Sequence, residues 1–195
     1  SGSGVNGRTR LARAAAVTTS PWLLILLIVS YSRPSRKPRE KEVQLPKGMM
    51  LQKEDGRGHC TYEAAARAVR AATGQRIAVS ALRKIVATDA ESNPAKWEPL
   101  HDGTSHDGKE VAFEDYVGHI AAEGHGGILE LSIIAERFQI QFLILSDEEG
   151  VPAIRIQPTK QAATTHILWF TIDNDVGHYD SLAPVEGDTQ LGLLL

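Results

Sequence analysis

Ile128-Leu129-Glu130-Leu131-Ser132-Ile133-Ile134-Ala135-Glu136-Arg137-Phe138 is followed, after Gln139, by Ile140-Gln141-Phe142-Leu143-Ile144-Leu145, and between the two the periodicity of the chain changes. In the first stretch Ile128, Leu131, Ile134, Ala135 and Phe138 recur at the spacing of one helix face. The second is a short apolar run ending in the polar turn Asp147-Glu148-Glu149-Gly150, the pattern of a buried strand. Upstream of this switch the signals are helical, and downstream they are strand-like. Helices first and antiparallel-looking strands second predict an α+β or compact α/β domain.

Working outward supports that division. Residues 61–73 are Ala-rich with no breaker, and Gly74 stops them, which predicts a helix. Residues 80–88 carry Leu82, Ile85 and Val86 at helical spacing and predict a second. Residues 89–108 read as a loop, with Asn-Pro, Glu-Pro and Asp-Gly steps. Helical spacing returns over 111–123 through Val111, Tyr116, Val117 and Ile120, and His125-Gly126-Gly127 breaks it. On the other side, residues 153–157 alternate and residues 166–172 are rich in β-branched and aromatic side chains. Asp173-Asn174-Asp175 then turns the chain into His178-Tyr179-Asp180-Ser181. No internal repeat is present.

The 195 residues suit one well-buried core, and 42% hydrophobic with 23% charged residues is an ordinary globular balance. A single cysteine excludes an internal disulfide and any multi-cysteine zinc or iron–sulfur site. The net charge of −3 conceals a division. Residues 1–42 carry eight Lys/Arg and two acids, a leader of +6, whereas residues 43–195 carry thirteen Lys/Arg and twenty-two acids, a domain of −9. An acidic body argues against nucleic acid as a partner and suits one with basic features. Inside the leader, residues 14–32 lack charge and centre on the apolar run 21–29, with arginines on both sides. This stretch reads either as a membrane-contacting or secretory segment, or as a strand or helix packed on the domain. Residues 32–42, rich in Pro and charge, read as a linker, which places the domain boundary near Val43.

The lone cysteine, Cys60, follows the polar loop Asp55-Gly56-Arg57-Gly58-His59 and opens the Ala-rich helix. A helix N-terminus presents unpaired N–H groups and the positive end of its dipole, which favour a thiolate. The loop glycines allow backbone N–H groups to turn inward, as an oxyanion hole requires. Among seven histidines, His178 stands out. Asp180 lies two residues on, and positions i and i+2 of a strand share a face, so Asp180 can orient the His178 ring. Cys60, His178 and Asp180 can then make a nucleophilic triad by role, the other reading of a lone cysteine being a small buried hydrophobe. His101-Asp102-Gly103 and His106-Asp107-Gly108 nearly duplicate each other, but without helical spacing or a third ligand they do not make a metal site. His166, within an apolar strand, reads as a satisfied core or strand-edge residue.

Together these segments resemble the ovarian-tumour (OTU) cysteine proteases. Residues 55–62 are similar to that family's Asp-Gly-Asn-Cys loop leading into a helix. His125-Gly126-Gly127-Ile128-Leu129-Glu130-Leu131, followed by the strand 140–145, matches its Trp-Gly-Gly-x-Leu-Glu-Leu segment. His178-Tyr179-Asp180 matches its closing His-Tyr-Asp or His-Tyr-Asn motif, and Phe113-Glu114-Asp115-Tyr116 looks like its intervening helix. The resemblance spans residues 43–184 and implies an OTU-like fold, with helices packed around a small, mostly antiparallel sheet.

It also implies a deubiquitinase without cofactor or metal, acting as a monomer on ubiquitin or a ubiquitin-like protein. Cys60 would be the nucleophile, His178 the base and Asp180 its orienter. Arg57, Gly58 and His59 would form the oxyanion loop, and Gly126, Gly127, Glu130 and Tyr179 would contact substrate. Two positions depart from the pattern. Counting back from Cys60, the family's loop aspartate falls on Arg57, which makes Asp55 the candidate replacement, and the family's Trp is His125. The implied location is the cytoplasm, with membrane contact through residues 14–32. Self-processing of a polyprotein and a catalytically silent ubiquitin-binding fold are the competing readings.

Overall fold

The computed structural model describes residues 45–185 apart from 56, 57, 106, 107, 123, 147, 149, 174 and 175. The leader, with its apolar run and its linker, and the boundary near Val43 lie outside the described residues. So do Arg57 and parts of the turns at 147–150 and 173–175.

Five strands form one sheet in the order β1-β5-β4-β2-β3: β1 (Met49–Gln52), β2 (Ile140–Ser146), β3 (Ile154–Ile156), β4 (Thr164–Asp173) and β5 (Val176–Pro184). Three of its four pairings are antiparallel, and β2 with β4 is parallel, with Ile144 opposite Leu168. The parallel pair was not legible in the local pattern. The short strand β3 folds back on β2 from one side, and β4 then takes the other side of β2 running in the same direction.

The helices are α1 (Cys60–Thr73), α2 (Val79–Ser92), the single turn α3 (Pro94–Trp97) with a 3-10 turn over Glu98–Leu100, α4 (Phe113–Ala122) and α5 (Ile128–Phe138). Helix α1 ends where expected, at Gly74 in the left-handed region with φ 74°, which only glycine adopts without strain. The expected loop from residue 89 is a correction. Helix α2 continues to Ser92, because the breaker is Pro94 rather than Asp89. Asp89 is instead structural: its Oδ1 accepts Trp97 Nε1–H at 2.8 Å and thereby folds α3 against α2.

One core lies between the helices and the sheet and includes Tyr62, Val69, Leu82, Val86, Leu131, Ile134, Phe142 and Leu168. Leu129 and Ile133, off the expected apolar face of α5, are buried too, because α5 is packed between the sheet and helices α1 and α2. Helix α1 packs on β5, and its small side chains Ala64, Ala65 and Ala68 are buried. The far face of the sheet carries a smaller cluster of Met49, Ile167, Trp169 and Leu182. Among the described residues no helix is long and apolar enough to cross a membrane.

Candidate active site

β5 outruns β1. The β1–β5 ladder ends where Gln52 meets Ser181, and the chain then leaves the sheet through Lys53, Glu54 and Asp55 on its way to α1. His178, Tyr179 and Asp180 therefore stand on a stretch of β5 with β4 on one side and this departing loop on the other. Alternation along the strand puts His178 and Asp180 on one side and turns Tyr179 to the other. The His178 Nε2 to Asp180 Oδ1 distance is 2.9 Å. The same carboxylate oxygen accepts the Glu54 backbone N–H at 2.8 Å, and Asp180 is buried. Tyr179 is buried in the core cluster that contains Cys60, and burial, with the Glu130 carboxylate and Cys60 adding to it, pushes its phenol pKa well above the usual range. On the Tyr179 side, Gly177 lies under the Phe170 ring. A Cβ there would come within 2.7 Å of Phe170 Cε2, so a larger residue would have to displace that ring.

Cys60 is the first residue of α1 and is 2% exposed. The first bond of the helix runs from Glu63 N–H to the His59 carbonyl at 2.8 Å, so the N–H groups of Cys60, Thr61 and Tyr62 precede the helical ladder. Gly58, with φ 82°, gives the preceding loop its turn. Arg83 of α2 holds that turn from beneath. Its guanidinium donates to the carbonyls of Gly58 at 3.1 Å, Ile120 at 3.3 Å and Gly124 at 2.5 Å, and to His59 Nδ1 at 3.2 Å, and it lies 4.0 Å above the Tyr62 ring. Arg has no acceptor, so His59 Nδ1 accepts here.

The segment 124–127 is fastened to the same helix start. Thr61 Oγ1 donates to the Gly126 carbonyl at 2.8 Å. A Cβ on Gly126 would sit 3.0 Å from both Thr61 Cγ2 and Tyr62 Cε2, so a larger residue would push on both side chains. Gly127 caps α5, and having no side chain it makes only the return half of a capping box, its N–H donating to Glu130 Oε2 at 2.6 Å. The other oxygen of Glu130 accepts Tyr116 O–H at 2.7 Å, and burial together with this carboxylate raises the Tyr116 pKa.

Glu130, read as a substrate contact, is 1% exposed with both oxygens committed inside the chain; it is a strut of the α4–α5 junction instead. The Tyr179 ring likewise faces the core. Asp55 is exposed, and its backbone N–H donates to Glu63 Oε2 at 2.6 Å; the carboxylate that meets His178 is Asp180. His101 is a turn residue, with Nε2 3.1 Å from the Val111 carbonyl and its ring against Tyr116. His166 departs from the expectation of a satisfied core residue. Its Nε2 has no partner among the described residues, and burial, reinforced by Arg67, lowers its pKa to about 4. Among the described residues no cluster of His, Cys, Asp or Glu could hold a metal ion.

Sequence reasoning missed two residues here. Arg83 carried no motif, although an arginine within the apolar spacing of Leu82 and Val86 signals a buried cation. Glu54 precedes the family-like loop, and its role is visible only once β1 and β5 are paired.

No family model matches the sequence, and no curated protein matches it. Solved structures do match the fold. An OTU deubiquitinase from Wolbachia pipientis wMel, crystallised bound to ubiquitin, aligns with TM-score 0.54 and 15% identity over 71% of this chain and 98% of its own. The OTU domain of OTUD1 aligns with TM-score 0.51 and 15% identity over 69% of this chain and 85% of its own. The viral OTU domain protease of Taggert virus does so with TM-score 0.51 and 14% identity, over 71% and 81%. The chain has the α+β fold of these domains.

Proposed function

We propose that this OTU-fold chain is a cysteine isopeptidase that cleaves after the C-terminal Gly-Gly of ubiquitin or a ubiquitin-like modifier. The observation that carries the reading is the 2.9 Å His178–Asp180 pair on β5, the strand on which the helix opened by the single cysteine packs. The fold shared with a deubiquitinase crystallised on ubiquitin supports the substrate class.

Nε2 of His178 is committed to Asp180, so Nδ1 is the basic nitrogen. In the proposed reaction Nδ1 removes the Cys60 thiol proton as sulfur bonds to the carbonyl carbon of the modifier's terminal glycine. The C=O electrons move to oxygen, and the N–H groups at the start of α1 donate to the oxyanion, each donor worth about 3–4 kcal/mol in such sites. Collapse breaks the C–N bond, and the departing lysine amine takes the proton from Nδ1, leaving a thioester. Water gives a proton to Nδ1 and attacks the thioester carbon; the modifier leaves as a carboxylic acid and the thiol is restored. The scheme uses no cofactor. Because Cys60 is almost fully covered, the carbonyl reaches sulfur only after the segments packed on the start of α1 open locally.

A ubiquitin probe with a thiol-reactive C-terminus tests the reading. Covalent capture by the wild type, lost in Cys60→Ala, is the expected result. Binding without capture would instead favour a silent ubiquitin-binding fold, and neither would leave the polyprotein reading. A wild-type pH–rate profile in His178→Ala would remove the base assignment. The cytoplasmic, membrane-touching location belongs to the same proposal. Fractionation with and without residues 1–42 checks it, and an unchanged distribution would remove the membrane contact.

A further inference from the structure

We propose that Glu54 is a positioning residue for the His178–Asp180 pair, acting through its own backbone N–H, and that Arg67 and Ser181 serve the pair by holding Glu54. The inference rests on the isopeptidase reading above.

Asp180 Oδ1 accepts two hydrogen bonds, from His178 Nε2 and from the Glu54 N–H. The second bond selects the carboxylate rotamer that faces the ring. A backbone donor is only as well placed as its backbone, and Glu54 lies beyond the last β1–β5 ladder pair, so strand pairing does not hold it.

Its side chain supplies what the ladder does not. Glu54 Oε1 accepts Arg67 Nε–H at 2.9 Å and Ser181 O–H at 2.7 Å, and Oε2 accepts from the Arg67 terminal nitrogen at 3.0 Å. The carboxylate is 4% exposed and fully engaged by a guanidinium fork and a hydroxyl. One residue on, Asp55 N–H is held by Glu63. Glu63 and Arg67 are four apart on α1 and so lie one above the other on the helix surface. The helix that begins with Cys60 therefore grips the departing loop at two points, and that loop grips Asp180. Ser181 adds a third anchor directly beside Asp180 on β5.

A purely stabilising role would look different. The Arg67 side chain is 44% exposed, so solvent screens its half of the pair and limits what the pair adds to stability. The network contributes geometry: it fixes the tautomer and angle of one imidazole, as an orienting carboxylate must.

The test compares Glu54→Ala and Glu54→Gln in the full chain, in wild-type and Asp180→Ala backgrounds. The readouts are kcat and KM on a fluorogenic ubiquitin C-terminal amide, and Tm. Glu54→Ala is expected to lower kcat by about 10- to 100-fold with KM nearly unchanged. Glu54→Gln keeps one acceptor oxygen for Arg67 Nε–H and Ser181 but turns an amide donor toward the Arg67 terminal nitrogen, so it should recover part of that loss. In the Asp180→Ala background Glu54→Ala should cost nothing more. An equal fold-loss in both backgrounds, or an unchanged kcat, would overturn the proposal.

Should Glu54→Ala not fold, Ser181→Ala takes its place, with an expected loss of a few-fold in kcat that likewise vanishes without Asp180. An arm independent of activity reads the His178 ring by nitrogen NMR. The wild type should show one neutral tautomer protonated at Nε2, and Glu54→Ala a mixture of the two. Identical spectra would overturn the positioning role. A wild type inert toward every ubiquitin substrate would instead count against the isopeptidase reading, with the NMR arm still deciding the role of Glu54.

Discussion

Arg67 leaves the exposed side of α1 and ends on the Glu54 carboxylate, whereas Arg83 leaves α2 inside the protein, is 3% exposed, and ends on three carbonyl oxygens and a histidine nitrogen. Both arginines hold a loop of the candidate site. Around Arg67 the partner is a charge, and the result is a polar row running through Glu54 to Asp180 and His178. Around Arg83 every hydrogen-bond partner is neutral, and the result is a backbone scaffold joining the turn before Cys60, the end of α4 and the segment after it. On the proposed isopeptidase reading the two loops would present different things. A general base needs a carboxylate held at a defined angle, which takes charge-assisted bonds. An oxyanion site needs aligned amides, and a guanidinium fork can gather several carbonyls without adding a competing negative charge.

The comparison breaks most readily at Arg83. Arg83→Leu strands several buried carbonyls at once and should destabilise the fold by about 3–5 kcal/mol. Urea unfolding measures this, and a loss below about 1 kcal/mol would show that the neutral hub holds nothing.

Acidification separates the two regions next. His166 faces Arg67 and Glu54, and its folded pKa of about 4 lies below the ordinary histidine value of 6.5. As pH falls from 6.5 the unfolded chain takes up a proton that the folded chain refuses, so stability drops across that window, by up to about 3 kcal/mol on reaching pH 4. Unfolding curves of the wild type and His166→Leu at several pH values would show it as a shallower acid-side loss in the variant. Equal acid-side losses would detach His166 from the polar row.

The smallest expected effect is on the exposed arginine. Arg67→Leu leaves the nearly buried Glu54 carboxylate with Ser181 alone and should lower stability by about 1–2 kcal/mol, while its kcat falls with that of Glu54→Ala. A larger stability loss at Arg67 than at Arg83 would invert the comparison.

Much of this was readable before folding. Gly74 ended α1 because a left-handed residue was needed there, and the 128–145 switch separated helix from strand because the two periods differ. His178 and Asp180 could be paired on paper because i and i+2 share one side of any strand. β1 escaped notice, since Met49-Met50-Leu51-Gln52 is four residues at an edge and becomes a strand only when β5 offers it a ladder. Glu130 entered as a substrate contact through the resemblance of residues 125–131, which carries no information about burial. Its burial depends on Tyr116, fourteen positions away, supplying a hydroxyl.

By itself, then, the sequence determined what local chemistry dictates: the period of each element, the breakers between them, the cysteine at a helix start and the histidine two residues from its carboxylate. Tertiary structure alone decided the parallel β2–β4 pair, the burial of Cys60, and the choice of Arg83 and Glu54 as the residues that hold the site. Those depend on contacts between groups distant in sequence, Glu54 and Asp180 being 126 positions apart, and no periodicity carries information over such a span.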